Sequence, residues 1–166
     1  ARAAGTPVTS ADVELVLAPD PTLGDGRHAH NPWLQELPKP LTTLTWDNAV
    51  LMSPAFAQRR GFASEDVVEL RAGANAVRAP VWVMPAHADN AVTLHLGSGR
   101  TRAGSVGNGV GANAYPLYAS ATRAIVPHVA VTRVDARRAL AAAQTPGRMG
   151  GRALARMVAR DVAAGC

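Results

Sequence analysis

Hydrophobic and polar residues alternate with a period of two over several short stretches of the chain, which is the pattern of half-buried β-strands. These stretches are residues 12–17, 67–71, 76–84, 91–96 and 125–134. Pro80 and Pro127 lie inside two of them, and a proline within a strand predicts an edge position or a β-bulge. The pattern predicts a mainly β domain, a barrel or a sandwich rather than a doubly wound α/β fold.

Helical signals are few and short. Ser53 has the residue type of an N-cap, Pro54 is suited to the first helical position, and Gly61 suits a left-handed C-cap. Together they predict a helix over residues 54–60. By contrast, residues 24–40 have prolines and glycines at both ends and no sustained period, which predicts a long irregular loop of the kind that often carries function.

Three segments differ in composition. Residues 1–11 are small and polar, which indicates a linker or a frayed end. Residues 12–134 contain the predicted strands and form the expected β domain, a barrel or a sandwich. Residues 135–166 are predicted to be a basic, partly helical tail, with Asp135 capping a helix to about residue 143 and a second helical stretch after residue 151.

The net charge of +5 is concentrated at the end of the chain. Residues 1–122 contain 9 basic and 10 acidic side chains, whereas residues 123–166 contain 8 and 2. Four of these arginines recur at every fourth position, so that a helix would align them: Arg148, Arg152, Arg156 and Arg160. Such a stripe is either the solvated face of a docked helix or a surface for an acidic partner or anionic lipid. No aromatic residue interleaves it, so a nucleic-acid partner is not predicted.

Composition excludes several classes of site. No apolar run reaches the roughly 18 to 20 residues that a membrane-spanning helix needs. The single cysteine, Cys166, excludes an internal disulfide, a cysteine-based zinc site and a cysteine-ligated iron–sulfur cluster within this chain. The five histidines are scattered along the chain, and we predict no metal site and no catalytic residue.

A glycine-rich loop, residues 97–111, contains six glycines. It lacks the lysine of a phosphate-binding P-loop and the following helix of a dinucleotide fingerprint. Two interpretations stay open. The loop is either structural, or a phosphate cradle in which Arg100 and Arg102 supply positive charge. In the second case Asn108 and Asn113 are placed to recognise the polar edge of a heterocycle.

The tryptophans add a second set of candidate residues. Trp82 lies in an apolar strand and is predicted to belong to the core. Trp33 and Trp46 lie in or beside the predicted long loop, where an indole either fixes the loop or stacks on a ligand. Asp47 and Asn48 follow Trp46 directly, and they suit either a simple turn or hydrogen bonds to a guanine-like edge.

Longer stretches of the sequence resemble a known family. The matching runs are DGR at 25–27, NPWLQELP at 31–38, LTWDNA at 44–49, APVWVMP at 79–85, VTLHLGSGR at 92–100 and VGNGVGANAYP at 106–116. In these runs the sequence resembles the C-terminal dinucleotide-binding domain of the molybdopterin oxidoreductase family. More narrowly, it resembles the large iron–sulfur subunit of alternative complex III, a quinol-oxidising respiratory assembly of bacteria.

The resemblance implies a double-psi β-barrel with short helices. It also implies a scaffold role in an electron-transfer complex, because subunits of this branch keep the architecture without carrying the pterin. Iron–sulfur clusters are then expected in a separate domain of the parent subunit. The expected partners are other domains and subunits of a membrane-bound complex, including heme and integral-membrane subunits, and the expected location is peripheral, on the periplasmic side of the inner membrane.

The alternative implied by the same resemblance is a functional domain that binds molybdopterin guanine dinucleotide. The nucleotide would then be surrounded by the family's binding positions, which in this chain are Trp46, Asp47, Asn48, Gly97, Gly99, Arg100, Asn108 and Asn113.

Overall fold

The computed structural model describes residues 13–118 and 124–143, and over these ranges the chain forms seven β-strands, two short α-helices and a 3-10 helix. The strands are β1 (Glu14–Pro19), β2 (Val50–Met52), β3 (Asp66–Ala72), β4 (Asn75–Val83), β5 (Ala91–Leu96), β6 (Ile125–Val126) and β7 (Ala130–Arg137). The helices are α1 (Pro32–Glu36), α2 (Pro54–Arg60) and the 3-10 helix Tyr115–Leu117. None of these helices is long and apolar enough to span a membrane.

The strands form one mixed sheet, in the order β6-β1-β5-β2-β4-β3-β7, that curls into a half-barrel. The pairs β1–β5 and β2–β4 are parallel, and the other neighbours are antiparallel. The register of β1 and β5 places Pro19 opposite Leu96, so that these two strands end side by side. The mainly β architecture predicted from the alternating pattern is confirmed.

The main hydrophobic core lies inside the curl of the sheet. Alternate residues of β1 and β5 point into it, and Leu15, Leu17 and Leu94 are fully buried there. Phe56 of α2 closes the same core. Burial of an aliphatic or aromatic side chain of this size contributes about 1.5–3 kcal/mol, so this alternation is the main source of the fold's stability.

A smaller apolar cluster packs on the other face of β2. Leu44 and Leu51 are buried in it, and Trp82 packs against them while remaining partly exposed. The prediction that Trp82 belongs to the core is therefore confirmed only for this second cluster.

Helix α2 has the predicted bounds and caps. The Ser53 hydroxyl accepts a hydrogen bond from the backbone N–H of Phe56 at 2.9 Å, and Gly61 ends the helix with φ at +70°. The same hydroxyl donates to the Asp89 carboxylate. The capping residues therefore predict both ends of this element correctly.

The prediction for Pro80 and the single strand predicted over residues 125–134 need correction, whereas Pro127 does lie between two edge strands. Pro80 does not lie at an edge, because β4 pairs with β3 on one side and with β2 on the other. At Pro80, β4 pairs with β3 only, because the pairing of β4 with β2 begins at Val81. The N–H that proline lacks is therefore not needed for a hydrogen bond to β2. Pro127 divides the single strand predicted over residues 125–134 into β6 and β7, and His128 in the break has φ at +54°.

The helix predicted over residues 135–143 is wrong. Strand β7 continues to Arg137, and residues 138–143 contain no helix. The cause is pairing with β3, where Arg133 forms an ion pair of 2.8 Å with the buried carboxylate of Asp66. Tertiary pairing therefore overrides the helix propensity of this alanine- and arginine-rich segment.

The predicted loop over residues 24–40 is not wholly irregular, because it contains α1. Asn31 caps this helix by accepting a hydrogen bond from the N–H of Trp33 at 3.0 Å. Other predictions lie outside the described residues. They are the linker over residues 1–11, the tail from residue 144 onward, the stripe of Arg148, Arg152, Arg156 and Arg160, and Cys166.

Candidate functional site

The candidate site lies where the loops after β1 and β5 meet. Gly97, directly after β5, has φ at +102°, and a Cβ there would lie 2.8 Å from both the carbonyl oxygen of Gly24 and the nitrogen of Gly26. Only glycine allows this conformation and this approach together. The predicted glycine loop is thus packed directly against the loop that follows β1.

The same loop folds back on itself at Gly99. Its N–H donates to the carbonyl of Val110 at 2.6 Å, and its φ is +75°. A Cβ on Gly99 would overlap the backbone of Ala112 and Asn113. These glycines therefore serve contacts within the chain, which favours the structural interpretation of the loop over an open phosphate cradle at Gly97 and Gly99.

Asn48 fastens this loop to the sheet. Its Nδ2 group donates to the carbonyls of His95 at 2.8 Å and Ala112 at 3.0 Å, and its Oδ1 accepts from the N–H of Ala112 at 2.8 Å. The residue is only 1% exposed. Because both ends of the amide are used by backbone groups, Asn48 positions the loop and has no donor left for a guanine-like edge.

The Asp47 side chain and the Trp46 backbone are likewise engaged within the chain. The Asp47 carboxylate accepts from the N–H of Asn48 at 2.9 Å and lies 3.0 Å from the Arg138 guanidinium. Burial raises the pKa of Asp47, and the nearby Arg138 opposes that rise. Trp46 has φ at +63° and donates its N–H to the carbonyl of Gln35 at 2.8 Å.

Asn108 and Asn113 stabilise turns of the loop. Asn108 Oδ1 accepts from the N–H of Ala103 at 2.6 Å, and Asn113 Oδ1 accepts from the N–H of Tyr115 at 3.1 Å. Both asparagines are exposed. They differ in position, since Asn113 faces the cleft described next and Asn108 does not.

A cleft of about 410 Å³ opens beside the glycine loop. It is lined by Ser98, Gly99, Arg100, Thr101, Arg102, Asn113 and Tyr115. Of the eight predicted binding residues it brings together three, Gly99, Arg100 and Asn113. The other five, Trp46, Asp47, Asn48, Gly97 and Asn108, do not line it.

A buried ion pair that the sequence analysis missed supports the neighbouring loops. Asp20 follows β1, and its Oδ1 accepts from the N–H groups of Thr22 and Leu23 at 2.9 and 3.0 Å. Its other oxygen lies 3.6 Å from the Lys39 ammonium, and both side chains are almost completely buried. The sequence feature that could have pointed to this ion pair is Lys39 itself, which is the single lysine of the chain and stands between two prolines.

His95 of β5 gives the site a pH-dependent contribution to stability. Burial lowers its pKa, and the nearby Asp20 carboxylate opposes that shift. In the unfolded chain the imidazole takes up its proton near its ordinary pKa of about 6.5. Below that pH the unfolded state binds more protons, so stability present above about pH 6.5 is lost as the pH falls further.

We therefore expect that His95→Gln flattens the dependence of the free energy of unfolding on pH between about 7 and 5. Urea unfolding at a series of pH values measures this dependence. His30→Gln, which removes an exposed imidazole, is the matched control and should retain the wild-type curve. A His95→Gln curve parallel to that of the wild type would refute the assignment.

Within residues 13–118 and 124–143 no three histidine, cysteine, aspartate or glutamate side chains are arranged to hold a metal ion. Comparison of the sequence with protein-family models gives no match. A search of curated proteins also finds no relative.

Proposed function

We propose that this chain is a scaffold domain of a respiratory electron-transfer subunit of the molybdopterin oxidoreductase type, as the resemblance to the large subunit of alternative complex III implies. In this proposal the fold is the double-psi β-barrel of that family. The curled, mainly β sheet is compatible with such a barrel. The domain contributes architecture and contacts with partners, and binds no pterin itself.

The observation that carries the proposal is an exposed apolar platform in the segment 31–41. Trp33 is 82% exposed, Leu41 is 83% exposed and Leu37 is 50% exposed. Large apolar side chains exposed in one segment mark interaction surfaces, and tryptophan in particular is enriched among the few residues that contribute most of the binding energy.

The platform is held rigidly. Leu41 and Thr43 have φ at +68° and +55°, a conformation that non-glycine residues adopt where surrounding contacts enforce it. The N–H of Thr43 donates to the carbonyl of Lys39 at 2.9 Å, and the N–H of Lys39 donates to Leu44 at 3.0 Å. Lys39 of this turn also lies 3.6 Å from the buried carboxylate of Asp20, with which it forms an ion pair. A surface ordered in this way loses little conformational entropy on binding.

The end of the described chain braces the same segment. The N–H of Thr45 donates to Ala141, and the N–H of Ala143 donates to Thr43, both at 2.9 Å. Leu44 and Ala142 form a β-bridge between these contacts. These contacts fix the three residues that follow the turn of Leu41, and so they fix the backbone on which the platform ends.

The internal use of the predicted nucleotide-binding groups also supports a scaffold. Asn48 is fully hydrogen-bonded to backbone and Asp47 is paired with Arg138. Neither side chain lines the cleft. These residues hold loops together, which is what a domain that retains the architecture without the pterin needs.

The partners in this proposal are the other domains of the parent subunit and the heme and integral-membrane subunits of the complex. Iron–sulfur clusters lie in a separate domain, and the assembly faces the periplasm on the inner membrane. These features follow from the resemblance, and the platform of Trp33, Leu37 and Leu41 is the surface that we assign to such contacts.

Combining Trp33→Ser with Leu41→Asn in the parent subunit should weaken its assembly with its partners at least about tenfold, because both apolar anchors are removed. Asparagine is chosen since it tolerates the left-handed conformation of residue 41. The measurement is the fraction of intact complex on native gels after affinity purification.

Val106→Ser is the matched control, since it removes an exposed apolar side chain outside the platform and should leave assembly unchanged. The thermal unfolding midpoint of the isolated chain should be unaffected by either change. Wild-type yields of intact complex from the double variant would contradict the assignment of the platform.

A further inference from the structure

A buried lysine holds both ends of the turn that presents Leu41. The N–H of Lys39 donates to the carbonyl of Leu44 at 3.0 Å, and the carbonyl of Lys39 accepts from the N–H of Thr43 at 2.9 Å. The ammonium group of Lys39 lies 3.6 Å from the Asp20 carboxylate and has no hydrogen-bond partner in the described part of the chain. The ion pair is therefore the contact that compensates this buried charge.

The Asp20 carboxylate has little capacity for a second cation. Its Oδ1 already accepts from the N–H and the hydroxyl of Thr22 and from the N–H of Leu23, at 2.8–3.0 Å. Its Oδ2 accepts no hydrogen bond from the described residues and is the oxygen nearest to Lys39. Because both charged side chains are almost completely buried, water screens their interactions only weakly.

His95 lies on the same face of the sheet as this carboxylate. The parallel register of β1 and β5 pairs His95 with Ala18, and Asp20 follows Ala18 by two residues. The neighbours of His95 in β5 point into the main core, so the imidazole lies on the outer face. Burial lowers the pKa of His95, the Asp20 carboxylate opposes that shift and the Lys39 ammonium adds to it. The three groups thus act on one another.

The charges on this face balance while the imidazole is neutral. Asp20 is paired with Lys39, and Asp47 lies 3.0 Å from the Arg138 guanidinium. Both cations oppose the rise that burial causes in the pKa of Asp47. Two carboxylates therefore accompany two cations. A proton on His95 adds a third positive charge, and neither carboxylate of this group is left to neutralise it.

We propose that protonation of His95 opens the turn of residues 39–44 and thereby disrupts the platform as the pH falls. The Lys39 ammonium is repelled by the imidazolium and shares one carboxylate with it, so it is more stable in water. Its movement breaks the backbone contacts that hold the turn, and the left-handed conformations of Leu41 and Thr43 can then relax. This inference rests on the proposed function, because it gives the platform a pH-dependent state.

Proton linkage determines the direction and the range of this switch. In the closed turn the pKa of His95 lies below its ordinary value of about 6.5. When the ammonium leaves, the imidazole no longer shares the Asp20 carboxylate and binds its proton more tightly. The open turn therefore binds more protons than the closed one, and its population rises as the pH falls below about 6.5. Uptake of one proton changes this equilibrium by at most about tenfold per pH unit.

The test is hydrogen exchange of backbone amides in this chain, followed by NMR between pH 7 and 5 and corrected for intrinsic exchange rates. The amides of Lys39 and Thr43 report the turn, and the amide of Leu17, which donates to the carbonyl of Ala124 at 2.7 Å, reports global unfolding. We expect the protection of the two turn amides to fall about tenfold over this range. Low concentrations of urea should leave their protection unchanged but lower that of Leu17, because opening the turn exposes little surface.

His95→Gln removes the proton site and should make the protection of the turn amides independent of pH. His87→Gln is the matched control, since His87 bonds to the hydroxyl of Thr93 at 3.0 Å, two residues before His95, and should behave as the wild type does. Dependence on pH that persists in His95→Gln or disappears in His87→Gln would overturn the proposal. So would wild-type turn amides that show no pH dependence, or that share the protection and urea dependence of Leu17. These wild-type results are decisive even if a variant fails to fold.

Hydrogen exchange reports the turn in the absence of any partner, so this inference and the proposed function fail separately. Weakened assembly in the double variant Trp33→Ser and Leu41→Asn, together with exchange that is independent of pH, would support the platform and contradict the switch. Wild-type assembly of the double variant, together with the expected pH dependence, would contradict the platform and support the opening of the turn.

Discussion

Gly99→Ala is expected to destabilise the domain by more than about 3 kcal/mol, the range typical of severe steric conflict with buried backbone. The new Cβ would overlap the backbone of Ala112 and Asn113. Those atoms belong to main chain fixed by Asn48, so they cannot move aside as the end of a flexible side chain can. The measurement is the free energy of unfolding in urea.

Gly109→Ala is a close control for this prediction. Gly109 has φ at +69°, similar to the +75° of Gly99, but a Cβ there would meet no atom within 4 Å. Its substitution should therefore cost only about 1 kcal/mol, the penalty of the left-handed conformation alone. Similar losses from the two alanines would show that the close packing around Gly99 is not what stabilises the loop.

Asn48→Ala is expected to cost about 3–5 kcal/mol, because three backbone groups would lose their partners in a buried place. These groups are the carbonyl of His95 and both the carbonyl and the N–H of Ala112. The loss should appear in urea unfolding. It should also appear as faster hydrogen exchange of the Ala112 amide.

Asn108→Ala serves as the comparison, since Asn108 is exposed and makes one bond, to the N–H of Ala103. It should cost about 1 kcal/mol or less. An Asn48→Ala variant as stable as Asn108→Ala would contradict the structural role of Asn48. It would also restore Asn48 as a candidate for binding a ligand.

Local patterns predicted the elements whose causes are local. The caps at Ser53 and Gly61 determine both ends of α2, and alternation predicted β1 and β5 to within two residues. Strand β2 was missed because it is only three residues long and buried on both faces, so it has no alternating pattern.

The failures come from contacts between distant parts of the chain. Residues 130–137 are a strand because β3 pairs with them, and Pro80 is central because β4 changes its neighbour beside it. A single sequence contains no local pattern that reports either contact. The composition after Asp135 favoured a helix, but pairing with β3 extends strand β7 to Arg137 instead.

The candidate site was predictable in residue type but not in role. Asparagine and aspartate suit a ligand as well as they suit backbone, and the partner of Asn48 lies 64 residues away at Ala112. Ser98 and Tyr115 were not singled out from the sequence, and both line the cleft. The sequence thus located the glycine loop, whereas the structure shows that Asn48 holds this loop to the sheet.

The most direct test of the scaffold proposal is the cofactor content of the natively purified parent assembly, measured as molybdenum, iron and released nucleotide per copy of this chain. We expect iron without molybdenum or pterin, with heme and integral-membrane subunits copurifying. Stoichiometric molybdenum with a released guanine dinucleotide, lost on Arg100→Ala or Asn113→Ala, would contradict it. That result would make the domain a cofactor clamp of a molybdoenzyme.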